Sequence, residues 1–316
     1  MPTVLELRNV TKFYGDFKAV DDISFSLSPG TICGFLGPNG AGKTTTIRMI
    51  LDIIRPTQGS ITILNESSAL RVRHRIGYLP EEKGLYKKMK TWAVIAYFAT
   101  LKGLKRKTAK QRAHELLERY GLKDFANKPT DALSKGMQQK VQVLASIAHD
   151  PEFVILDEPF SGLDPVNQQV MEEIIRDMAR RNRTVLFSTH VMQHAERLCE
   201  RILLIAKGKK IFDGTIAEAK GMFPRRVRIE TPDDINPLRA LKQVLSVQSF
   251  EANGKAVKNG AAQWEISLRE NTDAQIVLST CFEQKIRLHS FNHSEPTLHE
   301  IFVHLVGPEA KEAAFR

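Results

Sequence analysis

One stretch leaves the rest of the chain little freedom: Gly37-Pro38-Asn39-Gly40-Ala41-Gly42-Lys43-Thr44. It matches the G-x-x-x-x-G-K-[ST] pattern of a phosphate-cradling loop, and its flanks suit that reading. The apolar run Thr31 to Leu36 reads as a buried strand, and Lys43 to about Ile54 carries a helical pattern closed by Arg55-Pro56. A strand feeding a glycine turn and then a helix aims the free N–H groups and positive end of that helix at whatever the loop holds. The glycines let the backbone curl so that successive N–H groups converge on phosphate oxygens. Lys43 supplies a point charge near the β and γ phosphates, and Thr44, followed by Thr45, offers a hydroxyl to Mg²⁺. The loop therefore predicts a nucleoside triphosphate with Mg²⁺.

A second segment supports this. Phe153-Val154-Ile155-Leu156 is a fully apolar strand that ends in Asp157-Glu158, as suits the middle of a parallel sheet. Neighbouring residues at a strand end diverge in direction, so the two carboxylates can split roles. Asp157 can reach the metal shell while Glu158 polarises a water aimed at the γ-phosphate.

A third segment points to a family. Leu133-Ser134-Lys135-Gly136-Met137-Gln138-Gln139-Lys140 opens an amphipathic helix ahead of Asp157. It resembles the signature motif of ATP-binding cassette (ABC) proteins, usually Leu-Ser-Gly-Gly-Gln. A serine at a helix start also serves as an N-cap. The resemblance implies more: Ser134, Lys135, Gly136 and Met137 would face the γ-phosphate held by the other protomer of a head-to-tail dimer. It further implies that Tyr14 stacks on adenine with Val20 as its apolar neighbour. Ser161-Gly162-Leu163-Asp164 is similar to the D-loop, with Asp164 communicating across the dimer, and His190, after Ser188-Thr189, resembles the switch histidine that contacts the γ-phosphate.

Two departures stand out. Where the family carries a Q-loop glutamine, after Ile76-Gly77-Tyr78-Leu79-Pro80, this chain has Glu81, a hard oxygen donor able to ligate Mg²⁺. In the signature, Lys135 and Met137 replace Gly and Gln. These changes, Gly84-Leu85-Tyr86, and the terminal run Glu295-Pro296-Thr297-Leu298-His299-Glu300-Ile301-Phe302 resemble the ABC-2-type export subgroup of sodium-extruding and drug-exporting subunits. The resemblance implies an ATPase that drives a separate integral membrane permease by ATP-driven closure of a homodimer, with ATP and Mg²⁺ as ligands.

The expected architecture is an α/β P-loop NTPase core over residues 1–220, with an antiparallel β subdomain and a helical insert at about 83–150. A small α+β domain follows over 221–316. In detail, Met89 to about Asn127 reads as helical, as do Pro237 to Leu245 and Asp273 to Gln284. Arg226 to Glu230, Gln263 to Leu268 and Ile286 to Ser290 read as strands. Asn253-Gly254 and Asn259-Gly260 are turn signals, and the tail after Gly307 reads as frayed.

Composition decides less. Lys plus Arg number 46 against 36 Asp plus Glu, a net charge of +10, which suits nucleic acid, an anionic membrane or a polyanionic small ligand. A soluble ABC-type ATPase acting on nucleic acid or ribosomes is the alternative reading. Such proteins usually carry two cassettes, coiled coils or zinc modules, and this chain shows one cassette and none of these insertions, so no nucleic-acid partner is expected. Three scattered cysteines, Cys33, Cys199 and Cys281, support neither disulfides nor zinc. His289, His293 and His299 with Glu295 have loose metal-like spacing, but nothing in the pattern makes them converge. No apolar run reaches the ~18 residues of a spanning helix, and the first residues lack a secretory pattern. The expected location is cytoplasmic, peripheral on the inner face of the cell membrane.

Overall fold

A computed structural model of the chain describes residues 3–82, 84–249, 261–269 and 272–306. It divides into two units, the first comprising the chain up to Ile216 together with the residues from Leu305 on, the second running from Ala217 to His304.

The first unit opens with a hairpin, β1 (Leu5–Tyr14) and β2 (Phe17–Leu27), in which Tyr14 lies opposite Phe17. β3 (Ile32–Leu36) is buried at every residue and delivers the chain to the glycine loop. α1 (Lys43–Ile50) follows, and β4 (Gln58–Ile63) then returns to pair with β1, giving an antiparallel sheet of order β2-β1-β4. After β5 (Ile76–Leu79) come α2 (Thr91–Leu101), α3 (Arg106–Arg119) and α4 (Lys135–Ile147). β6 (Phe153–Asp157), α5 (Pro165–Arg180), β7 (Thr184–Thr189), α6 (Met192–Leu198), β8 (Arg201–Ala206) and β9 (Lys209–Thr215) complete the core.

Six strands form the central sheet in the order β5-β6-β7-β3-β8-β9, all parallel except β9. Its apolar strands are buried on both faces, as a parallel sheet requires. The register sets Leu36 beside Thr189 and Asp157 beside Ser188. The glycine loop, the Asp157-Glu158 pair and His190 therefore emerge together at the carboxyl ends of adjacent strands, where open α/β sheets hold ligands.

α7 (Ile216–Gly221) leads into the second unit. There β10 (Arg226–Thr231), α8 (Asn236–Arg239), β11 (Val244–Ser249), β12 (Ala262–Leu268), α9 (Gln275–Glu283) and β13 (Ser290–Ser294) make a β-α-β-β-α-β chain. Its antiparallel sheet has the order β11-β12-β10-β13, a ferredoxin-like arrangement. Val227, Ile229, Ile266, Leu268, Val277 and Cys281 form a core of its own. The last helix, α10 (Leu298–Val306), starts at a reciprocal capping box. The Thr297 amide donates to Glu300 Oε2 at 3.0 Å, and the Glu300 amide donates to Thr297 Oγ1 at 3.2 Å. The Thr-Leu-His-Glu run quoted for the export subgroup has this local reason to exist.

The α/β core, the antiparallel subdomain and the small α+β unit are as expected, but several elements differ. The run from Met89 to Asn127 is not one helix: Gly103, at φ 106°, breaks it into α2 and α3, and a short 3-10 turn follows at Lys123–Phe125. The helix after the glycine loop ends at Ile50 because Asp52 is left-handed at φ 56°. Of Pro237 to Leu245, only the first residues belong to a helix, and Val244 begins a strand paired with β12. The strand expected at Ile286 to Ser290 lies over Ser290–Ser294 instead. Left-handed Lys285 ends α9, Ile286 turns into the core, and Arg287 is bound to Asp233. The expected turns at Asn253-Gly254 and Asn259-Gly260 and the tail after Gly307 lie outside the described residues.

Candidate functional site

Gly37 can only be glycine here, since a Cβ on it would stand 2.2 Å from the Ile205 carbonyl oxygen. Gly40 and Gly42 have φ of 76° and 102°, and Gly42 leads directly into α1 with no side-chain cap. The helix N–H groups beside the loop are thus left for a ligand. The loop opens on a cleft of about 340 Å³ lined by Asn39, Gly40, Ala41, Gly42, Lys43, Thr44 and Thr45, with Tyr14, Phe17, Ala19, Glu81 and Glu158 on its other walls. Tyr14 and Phe17 stand exposed at the hairpin tip. Val20 is wholly buried in the core beneath, and Ala19 is the small apolar residue that faces the cleft.

Lys43 is buried. Its Nζ donates to the Gly37 carbonyl at 2.7 Å and the Pro38 carbonyl at 3.2 Å, and lies 3.8 Å from Glu158 Oε1. Burial lowers its pKa, while the carboxylates of Glu158, Asp157 and Glu81 oppose that shift. The cation is therefore held by partial and full negative charges of the protein, in a place where phosphate oxygens would replace them.

Asp157 and Glu158 do diverge. Asp157 is sealed under the strand end, and its Oδ1 accepts from the Ser188 hydroxyl at 2.5 Å. Its Oδ2 is buried and receives no hydrogen bond among the described residues. Glu158 takes a left-handed backbone, φ 49°, held by its own amide donating to Ser188 Oγ at 2.9 Å. That turn brings Glu158 Oε1 to 3.0 Å from His190 Nδ1. Lys43, Glu158 and His190 thus converge, and His190 is half exposed at the rim.

The chemistry of these donors suits Mg²⁺. Asp157 offers an oxygen otherwise without a partner, and Thr44 and Glu81 line the cleft with hard oxygens. No group of three or more His, Cys, Asp or Glu side chains is gathered for a metal among the described residues.

The signature residues lie elsewhere. None of Ser134, Lys135, Gly136 and Met137 lines the phosphate-loop cleft. Ser134 caps α4, its hydroxyl accepting from the Met137 amide at 3.3 Å, and Ser134 and Lys135 are exposed. Gly136 lets α4 approach α5, since a Cβ there would stand 2.5 Å from Asn167 Nδ2. Asp164 caps α5, accepting from the Asn167 amide at 2.9 Å, a bond that lowers its pKa. Gln139 joins the two regions by donating to the Pro159 carbonyl. The signature helix and the Ser161–Asp164 loop therefore form one connected surface, apart from the phosphate loop of the same chain. Sequence reading missed Phe17 and Ala19, and it named Ser188 only as a flank of His190. The pairing of Tyr14 with Phe17 across a two-residue turn was the one available signal for the first.

Comparison with known proteins agrees with this geometry. The ABC transporter family model matches residues 20–161, and the model of the ATP-binding protein DrrA1-3-like, C-terminal domain matches residues 214–306. The chain is 38% identical to the uncharacterized ABC transporter ATP-binding protein YhaQ of Bacillus subtilis, over 96% of this chain and 99% of that protein. It is 37% identical to Nod factor export ATP-binding protein I of Burkholderia orbicola, over 66% and 70%. Among solved structures, an ATP-binding subunit of an ABC transporter superposes with a TM-score of 0.65 at 29% identity, covering 70% of this chain and 93% of the other. Among the described residues, no helix is long and apolar enough to cross a membrane.

Proposed function

The chain belongs to the ATP-binding proteins of ABC transporters, and from that premise we propose that it is the ATP-hydrolysing subunit of an exporter. Two copies close on two ATP molecules and work on a separate membrane permease. The observation that carries the hydrolytic role is the convergence of Glu158 Oε1 on His190 Nδ1 and Lys43 Nζ at the mouth of the glycine loop.

In this reading the loop amides and Lys43 hold the β and γ phosphates, with Tyr14 and Ala19 against the base and Val20 in the core beneath them. Thr44, Asp157 and Glu81 are the residues that would hold Mg²⁺, and the ion when bound would supply charge neutralisation to the phosphates. Glu158 orients a water and takes its proton as the water oxygen bonds to the γ-phosphorus and the bond to the β–γ bridging oxygen breaks. ADP and phosphate leave. His190 fixes the Glu158 carboxylate and reaches the same phosphate.

Dimer closure follows from what one copy lacks. Ser134 and Lys135 stand exposed at the start of a 13-residue helix, and neither lines the phosphate-loop cleft of its own chain. A head-to-tail partner would set that helix N-terminus over the γ-phosphate, with Asp164 at the same seam. The helical insert at 83–150 carries the motion to the permease, and residues 221–316 form the accessory domain. Export is supported by the relative named for Nod factor export. The protein would then sit peripherally on the inner face of the membrane.

Glu158→Gln tests this reading. The variant should keep ATP affinity, lose at least about a hundredfold in turnover and elute as a dimer in MgATP. Near-normal multiple-turnover hydrolysis would remove Glu158 from the mechanism. Failure of the chain to co-purify with any integral membrane protein from its own cells would remove the transport role.

A further inference from the structure

Ser188 stands two residues before His190 and has no role of its own in the proposed mechanism, yet among the described residues it is the one side chain bonded to both halves of the Asp157-Glu158 pair. It is fully buried in β7, directly across from Asp157 in the parallel register. Its hydroxyl has one proton and lone pairs to accept with, and both functions are engaged. The proton goes to Asp157 Oδ1 at 2.5 Å, and a lone pair receives the Glu158 amide at 2.9 Å.

Each bond constrains one carboxylate. With Oδ1 occupied, the Asp157 carboxylate cannot turn freely about its last bond, and Oδ2 is left as its open oxygen, buried and without a donor among the described residues. A carboxylate so held presents one oxygen to a cation in a fixed direction. The second bond acts on the backbone. Glu158 sits at φ 49°, a region that side chains other than Gly enter at a cost, and its amide would be unpaired there without Ser188. That backbone turn is what swings the Glu158 carboxylate out of the strand toward Lys43 and His190.

We propose that Ser188 is the positioning residue that divides the labour of the two carboxylates, committing Asp157 to the metal of MgATP and Glu158 to the water. The inference rests on the nucleotide reading above and deepens it. Ser188 itself touches neither phosphate nor water in this scheme, and it acts through its two bonds. Groups that orient a metal's ligands in this way are commonly worth 10–100-fold in metal affinity or activity.

The test uses the full chain, a fluorescent ATP analogue, and Mg²⁺ or EDTA. Ser188→Ala and Ser188→Cys keep the space but remove the strong O–H donor, while Ser188→Thr keeps the hydroxyl. The ratio of nucleotide affinity in Mg²⁺ to that in EDTA should fall about tenfold in the Ala and Cys variants, with the EDTA affinity within about twofold of wild type and kcat falling more than KM changes. Ser188→Thr should restore both the ratio and kcat; its added methyl group is checked by thermal melting, and a folded Thr variant that fails to restore them counts against the proposal. An unchanged Mg²⁺ ratio in a folded Ala variant overturns it, and so does an equal loss of affinity in EDTA, which would mark general damage to the site. Wild-type chain that binds no nucleotide in either condition would instead overturn the ATP reading itself, and this inference with it.

Discussion

Asp157 and Glu158 carry the same functional group one residue apart, and their surroundings make them different reagents. The alternation of an apolar run with a terminal acid pair was readable in the sequence because burial ends where charge begins. The bonds that separate the two were not readable, since a serine in a strand has no meaning until the register puts it opposite Asp157. His149 teaches the same lesson with a measurable consequence. It follows α4, and it is buried with Nε2 3.2 Å from the Ile76 carbonyl, which also accepts from Lys102 Nζ at 3.1 Å. Burial, with the Lys102 charge second, pushes its pKa down to about 4. The unfolded chain binds that proton near pH 6.5, so between the two values the unfolded state holds more protons. Stability is then fully present above about pH 6.5 and is lost as pH falls toward 4. At pH 5 the loss from this group should be about 2 kcal/mol. His149→Gln keeps a donor for the carbonyl without titrating, so urea unfolding at pH 7.5 and pH 5 should show a smaller drop for the variant by about that amount. Parallel losses in the two proteins would rule His149 out as the source.

Elements differ in how much of their cause is local. β3, the glycine loop and α1 were readable because each signal lies within the segment: an apolar run, positive-φ glycines and a helix N-terminus. The same holds for α4, whose Ser134 cap precedes an apolar stripe. β11 and β9 escaped notice because their pairing partners supply the reason for them. Val244–Ser249 becomes a strand by joining β12, and Lys209–Thr215 by folding back on β8. Close approach between elements is hidden in the same way. Gly77 in β5 lies against α4 so tightly that a Cβ would stand 2.6 Å from the Ser146 carbonyl oxygen and 3.0 Å from Pro151 Cγ. That oxygen is backbone in a helix and cannot swing aside. Gly77→Ala should therefore push α4 off the sheet and destabilise the first unit by about 1–3 kcal/mol. Because α4 begins at Ser134, the shift should also weaken ATP-induced pairing of Glu158→Gln chains more than it weakens nucleotide binding by single copies. Calorimetry and gel filtration in MgATP check the two parts. A melting temperature equal to that of wild type would show that the strand and helix have room to spare.

At the scale of the whole molecule, the two units have separate cores and separate reasons to be stable. On the proposed function the first would gain from MgATP, because any ligand bound only by the folded state adds stability in proportion to the logarithm of its concentration. The second rests on the apolar face between its four-stranded sheet and α8 and α9. Val277 lies wholly inside that core. Val277→Ala removes two methyl groups and leaves a cavity, a loss of about 2 kcal/mol. If each unit unfolds on its own, hydrogen exchange of the β10, β12 and α9 amides should quicken by roughly thirtyfold while those of β3, β6 and β7 keep their rates. Added MgATP should do the converse, slowing exchange in β3, β6 and β7 of wild type and leaving β12 unchanged. Those paired outcomes would mean that the accessory unit can vary without disturbing the phosphate site. The same acceleration in both units on Val277→Ala would show instead one cooperative body, and every substitution in the accessory unit would then have to be read as a change in the ATP site as well.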